Sequence, residues 1–371
     1  MKHFTFILIF IALILVLSLA VFYLSKRTAF VFDIKPTWFY VGYAVLLLAA
    51  YGVMAGAMHW QTSGWFAHLV IISNQIVLGI LLYLLLCGLV VDLVQLFAHF
   101  SPKVFGIVVA SLTILVSGYM MWNAASPRLK TVKIAIPKLE KPYRIVQLSD
   151  MHLGQFRGKD FLQNIVNEIN EIDNVDAVMI TGDMFDSYYN YSEETLTPLK
   201  QIKVPIYFVN GNHDIYIDDV GIKEKLRKMS VHVLENEVAN CKGLQIIGLN
   251  YMRPNDTSTD MMHVPMGKET MASVLPTLPI DSTLPTILLH HNPVGAELLA
   301  PHGIDLYLSG HTHAGQLFPL TLINGSIFEY NKGLHQVQNA HIYVSAGLGT
   351  FGIPMRLGTH SEITVIELVR E

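Results

Sequence analysis

The chain has 371 residues, a formal net charge of −4 and two cysteines, Cys87 and Cys241. That balance provides no basic face for nucleic acid, and one thiol in an apolar run with the other far beyond it excludes a disulfide scaffold. Hydrophobic residues make up 52% of the whole, with the excess concentrated in the first third.

Four apolar runs occupy that third, each long enough to span a bilayer. Phe4 to Leu24 carries no charge. Tyr40 to Met58 has Trp38 and Trp60 near its ends as interfacial anchors. Leu69 to Val91 holds polar Ser73, Asn74 and Gln75 near its start, and Val104 to Trp122 is the fourth. Asp92, at the end of the third run, reads as a snorkelling residue at headgroup level rather than an intramembrane functional acid. Ser18-Leu-Ala20 is like a signal-cleavage site, but the apolar stretch continues and three more follow, so the first helix is expected to be retained. No paired arginine precedes it, which argues against twin-arginine export. Lys26, Arg27, Lys35 and Lys103 in the loops favour a catalytic region outside the cytoplasm. Lys2, Arg128, Lys130 and Lys133 favour the opposite, so the side stays open. The expected division is a transmembrane domain with four helices over 1–123 and a second domain over 124–371.

Residues 124–139 read as a linker running into a half-buried strand, Thr131 to Ile136, by its alternation. Five short apolar runs then end in chemistry. Tyr143 to Leu148 precedes Asp150-Met-His152, and Ala177 to Ile180 precedes Gly182-Asp183. Ile206 to Val209 precedes Gly211-Asn212-His213-Asp214. Ile287 to Leu289 precedes His290-His291-Asn-Pro293, and Leu306 to Leu308 precedes Gly310-His311-Thr-His313. Aspartate, histidine and asparagine are poor strand-interior residues, and sites are built on the loops beyond strand ends. Phe161, Ile165, Ile169 and Ile172 fall at helical spacing and predict a crossover helix. Val231 to Leu234 and Leu244 to Leu249 read as further strands. The tail strands Ile342 to Val344 and Ile363 to Leu368 are expected to close a second sheet. Periodicity alone gives an α/β fold.

The order Asp-x-His, Gly-Asp, Gly-Asn-His-Asp, His-x-Pro, Gly-His-x-His resembles the calcineurin-like metallophosphoesterases. The branch it looks most like is that of membrane-associated bacterial phosphodiesterases of the YkuE and YaeI type, and the likeness covers roughly residues 140–371. It implies a four-layer αββα metallophosphoesterase sandwich, here preceded by an all-α four-helix transmembrane domain. It assigns Asp150, His152, Asp183 and His313 to one divalent metal and Asp183, Asn212, His291 and His311 to the other, with Asp183 bridging. Mixed oxygen and nitrogen ligands suit Mn, Fe, Zn or Ni. Two such ions clamp a phosphoryl group and activate water as a metal-bound hydroxide. His213 resembles the histidine that contacts phosphate or protonates the leaving oxygen, with Asp214 accepting from its ring.

The resemblance thus implies a metal-dependent phosphoester hydrolase with a dinuclear centre. Its expected action is that of a phosphodiesterase on a phospholipid or lipid-linked (pyro)phosphate. Soluble phosphoesters or nucleotides are the alternative substrates, and a non-catalytic metal-binding membrane scaffold is the alternative role. The expected location is a bacterial cell membrane, as a multi-pass integral protein, and no nucleic-acid partner is expected. His290 is expected to pack rather than ligate, and His302, His335, His341 and His360 match no metal position. Ala314 stands where relatives often have glycine. The Met-rich connection Tyr251 to Asp281 reads as a surface excursion or a lid. Arg356 is expected either to reach a substrate phosphate or to pair with Glu362.

Overall fold

The computed structural model describes residues 2–35, 37–59, 64–256 and 268–370. Trp60 and the methionines Met261, Met262 and Met266 of the long connection lie outside the described residues. The chain divides into two compact units, Met1–Met121 and Trp122–Glu371.

The first unit is built from α1 (Lys2–Phe32), α2 (Thr37–His59), α3 (Trp65–Gln95) and α4 (Pro102–Ala125). Three stretches are long and apolar enough to cross a membrane: Leu15–Phe32, Trp65–Gln95 and Pro102–Ala125. The expected second span falls on α2, where the apolar stretch among the described residues is the shorter Thr37–Leu46. The loop expected around Lys26 and Arg27 is corrected, because α1 continues through both to Phe32. Arg27 is accommodated in the helix by Asp92 of α3, at 2.7 Å from Nη2 to Oδ1, and the Tyr23 hydroxyl donates to the same carboxylate at 2.5 Å. Asp92 is therefore an ion-paired residue between two helices rather than a lone snorkelling end group.

The second unit keeps the last turn of α4 and continues in chain order. β1 (Arg128–Ala135), β2 (Tyr143–Leu148), α5 (Lys159–Asn170), β3 (Ala177–Thr181), α6 (Glu193–Leu196) and β4 (Ile206–Val209) come first. α7 (Asn212–Lys228), β5 (His232–Val233), β6 (Glu237–Cys241), β7 (Leu244–Gly248), α8 (Met271–Val274) and β8 (Thr286–Leu289) follow. β9 (Leu306–Ser309), α9 (Leu320–Ile327), β10 (Gly333–Val337), β11 (Ala340–Val344) and β12 (Glu362–Val369) complete it. The strands form two sheets, in the orders β1-β12-β2-β3-β4-β5 and β10-β11-β9-β8-β7-β6.

Period-two alternation dictates the layers. Ile145, Met179, Tyr207 and Val209 of the first sheet meet Ile246, Ile287, Leu289, Leu306 and Leu308 of the second in one core. Their neighbours Val146, Leu148, Val178 and Ile180 point the other way, onto Leu162, Ile165 and Ile169 of α5 and Ile222 and Leu226 of α7. The outer face of the second sheet is covered by Met271 and Val274 of α8 with Ala296 and Leu299. The result is the αββα sandwich, whose fourth layer consists of α8 and single helical turns.

One strand is placed differently from expectation. Ile363 to Leu368 does not close the second sheet. β12 lies in the first, parallel to β1 and antiparallel to β2. Its register sets Glu367 opposite Arg144, and the two side chains pair at 2.7 Å. Ile366 and Leu368 then face the inter-sheet core. An apolar run shows that a strand is buried, but not which edge it joins.

Candidate metal centre

β2, β3 and β4 are mutually parallel, as are β8 and β9. Their carboxyl ends therefore open on one edge of each sheet, and the five chemistry-bearing turns leave from those ends. Asp150, His152, Asp183, His311 and His313 all take left-handed backbone conformations, with φ of 53°, 48°, 54°, 72° and 48°. Five non-glycine residues held in a sparsely populated region at one place mark a site whose surroundings over-determine it. Ala314 also sits at φ 51°, the conformation for which glycine is the cheaper residue.

Two glycines are required by closeness. A side chain at Gly211 would lie 2.1 Å from Asp183 Oδ1, and one at Gly310 would lie 2.3 Å from Asp150 Oδ2. The turns can thus approach the carboxylates only as bare backbone.

The ligand-type atoms converge in three overlapping groups: Asp150, His152 and His313; His152, Asp183 and His213; and Asp183, His291 and His311. Within each group they lie no more than 4.8 Å apart. His152 Nε2 faces His313 Nε2 at 3.0 Å, and His313 Nε2 is 3.4 Å from Asp150 Oδ1. Asp183 Oδ2 lies 3.1 Å from His291 Nε2 and 3.8 Å from His152 Nε2, so this carboxylate stands between the two histidine groups. Asn212 is buried with Oδ1 making no hydrogen bond, and His291 Nε2 likewise makes none. Orphaned buried polar atoms normally have a partner. Lone pairs of oxygen and imidazole nitrogen converging without enough protons to satisfy them suit a divalent metal.

The charge balance agrees. Burial disfavours the anion of Asp183, yet His291 first and then His213 hold its pKa well below the usual carboxylate range. Burial pushes the pKa of His152 and of His313 well down, with neighbouring cationic groups adding to it. Both rings are thus neutral, the form that ligates metal. His291 Nδ1 is held by the Thr181 carbonyl at 2.7 Å, which orients Nε2 toward the site.

Each site residue expected from sequence lies at this edge, and two buried side chains there have partners that the sequence did not indicate. Asp214 is fully buried, and its carboxylate accepts the backbone N–H groups of Asp183 and Met184 at 2.8 Å, Gly211 at 2.9 Å and Phe185 at 3.3 Å. These bonds shape the Gly182 and Gly211 turns. Arg356 neither faces a phosphate site nor pairs with Glu362. It is fully buried, and its guanidinium donates to the carbonyls of Ala346 and Gly349 at 2.7 Å, Gly347 at 3.2 Å and His360 at 3.3 Å. Its Nη2 lies 3.3 Å from His313 Nδ1. Only a forked donor satisfies that many acceptors. Arg356→Lys should leave at least two carbonyls unsatisfied, at about 1–3 kcal/mol each. Thermal unfolding of the full chain in detergent should show a clear fall in Tm. An unchanged Tm would remove Arg356 from the framework of the site.

His290 packs as expected, with Nδ1 2.9 Å from both the Asn292 carbonyl and the Tyr307 hydroxyl. Burial lowers its pKa to about 4. Met252 and Met271, from the Met-rich connection, are buried in the core of the second sheet. Sequence reasoning missed the aromatic surround. The Tyr251 ring lies 6.1 Å from those of His291 and His311, Phe328 lies 5.6 Å from His311, and Phe351 lies 5.4 Å from His213. These rings come from separate loops and share no local spacing that would have flagged them.

Two sheets with ligand-type turns at their carboxyl ends define a scaffold suited to holding divalent metal. A family model described as calcineurin-like phosphoesterase matches residues 143–315, so this part of the chain is a calcineurin-like metallophosphoesterase domain. An uncharacterized metallophosphoesterase of Helicobacter pylori is 35% identical over 251 residues, 66% of this chain and 65% of the relative. A transmembrane protein with metallophosphoesterase domain from Danio rerio is 35% identical over 274 residues, covering 69% of this chain and 61% of that protein. The uncharacterized metallophosphoesterase YkuE of Bacillus subtilis is 27% identical over 292 residues, covering 73% and 96%. The match thus spans less than two thirds of the length of the first two. The apolar helices and the transmembrane relative together indicate membrane association.

Proposed function

We propose that this chain is a multi-pass integral membrane phosphodiesterase with a dinuclear metal centre, acting on a phosphoester carried by a lipid. The carrying observation is the convergence of five strand-end turns on two adjoining ligand groups that share Asp183. Asp150, His152 and His313 would hold one divalent ion and Asn212, His291 and His311 the other, with Asp183 between them. When bound, two such ions polarise the phosphoryl oxygens and lower the pKa of a bound water.

The protein's own groups do the rest. His213 is half-buried, with its N–H anchored on Asp183 Oδ1 at 2.9 Å and its ring edge-on to His152 at 4.8 Å. That position suits it to bind the phosphate or to donate a proton to the leaving oxygen. Asp214 and Arg356 keep the backbone of the turns in place. The apolar helices supply a membrane anchor on the same chain, which supports a lipid-borne substrate. The bacterial relatives support a bacterial cell membrane as its location.

The test is hydrolysis of bis(p-nitrophenyl) phosphate by the full-length protein with Mn2+ and with chelator. Cleavage abolished by chelator and restored by metal is the expected result. Cleavage that survives complete metal removal would refute the reading.

A further inference from the structure

α9 is built inside out. Its apolar residues Leu320, Leu322, Ile323 and Ile327 are 50%, 70%, 52% and 54% exposed, whereas Asn324 is only 6% exposed. A surface helix ordinarily turns its apolar stripe to the core. Here the polar side is pressed on the site. A side chain at Gly315 would lie 2.8 Å from Thr321 Cα and 3.0 Å from Asn324 Cβ, so the apolar side has no room to turn inward. Phe351, 57% exposed, is fixed beside the same turn. Its N–H donates to Gln316 Oε1 at 2.8 Å, and the Gln316 amide donates to its carbonyl at 3.1 Å.

This apolar surface borders the metal centre. α9 follows the His313–Gly315 turn, and Phe328 at its end stacks edge-on against His311. Phe351 does the same against His213. Contiguous apolar exposure beside a site marks an interaction surface.

The second unit also shows what the surface meets. Asn123, in the last turn of the bilayer-length helix α4, donates from Nδ2 to the carbonyls of Arg356 at 3.1 Å and Thr359 at 2.8 Å. Next to Arg356, the Leu357 carbonyl accepts from Phe318 N at 2.9 Å, two residues before α9. The end of α4 is therefore joined through one loop to α9 and, through Arg356, to His313. The end of an apolar helix is where a chain leaves a bilayer, and leucine and isoleucine exposed close to such an exit are buried by lipid at headgroup level.

We infer that α9 and Phe351 form an apolar lip that inserts into the bilayer surface beside the metal centre and admits the lipid-borne phosphoester from the membrane plane. The insertion stands on the geometry of α9 and α4, while the admission of substrate rests on the proposed function.

The experiment uses the full chain in phosphatidylcholine–phosphatidylglycerol nanodiscs. Leu322→Cys is labelled with nitrobenzoxadiazole, with Glu171→Cys at the end of α5 as the control. The Leu322 label should emit to the blue and be quenched by acyl-chain nitroxides, as expected for a depth of about 5–10 Å, and the control should not. Leu322→Asp combined with Ile323→Asp should leave cleavage of bis(p-nitrophenyl) phosphate within about twofold, as surface changes do. Cleavage of phosphatidyl-p-nitrophenol in the discs should fall about tenfold or more, as expected when two anchors are lost.

Equal quenching at both labels overturns the lip whatever the activities, and crosslinking of two copies through Leu322→Cys would make the face a dimer interface instead. A quenched Leu322 label with the lipid ester uncleaved, while the soluble diester is cleaved, keeps the insertion and overturns admission from the membrane. A parent protein that cleaves neither ester refutes the proposed function, and the quenching still decides the lip.

Discussion

Asp183→Ala is expected to remove metal and activity together. This carboxylate lies between the Asp150–His152–His313 group and the His291–His311 group, so no other side chain can replace its two oxygens. It also receives the His213 backbone N–H. Metal content by mass spectrometry should drop to the level of chelated protein. Turnover of bis(p-nitrophenyl) phosphate should fall by at least about 10³-fold, equivalent to about 4 kcal/mol of transition-state stabilisation. The folded state should survive, because the position is freed of an ionised buried group whose neighbours are histidines able to shed their protons. A far-UV spectrum and Tm close to the parent's would show this. Asp183→Ala protein that keeps both its metal and its rate would end the dinuclear mechanism.

His213→Ala should separate binding from chemistry. His213 is half-buried, like His311, whereas His152, His291 and His313 are buried, and it takes part in no ligand group without His152 and Asp183. The metal content should stay at the parent's value while kcat drops by roughly 10²–10⁴-fold, the usual weight of a positioned acid or base. An ester with a better leaving group should recover part of that loss if the ring protonates the leaving oxygen. Loss of metal together with rate would instead make His213 a ligand. That distinction separates a catalytic residue from a structural one more cleanly than activity alone.

The residues that converge at this edge were legible because each breaks a local rule. Asp150, Asp183, Asn212, His291 and His311 follow buried strands that would otherwise continue in valine, leucine and isoleucine, and polar residues there need a reason. The two-sheet layering followed from the family resemblance, because periodicity alone indicates only an α/β fold. The sheet that β12 joins was not legible. Strand pairing is a contact across more than 200 residues, and the local sequence of Ile363 to Leu368 suits either sheet. Arg356 was ambiguous because an arginine in a loop can face solvent, phosphate or backbone, and only the carbonyls of Ala346, Gly347, Gly349 and His360 around it decide.

By itself, then, the sequence determined the chemistry: which side chains are present, in what order, and that an apolar helical third precedes them. Local composition sets these, since burial preference and strand-end placement depend on near neighbours. The tertiary structure alone decided what those residues do for one another. It turned Asp214 to the backbone of two turns, put Arg27 against Asp92 inside a helix pair, and faced the apolar side of α9 outward beside the metal ligands. Each of these depends on which distant group occupies the remaining space, and hydrogen-bond satisfaction and close packing are settled only when every layer is in place.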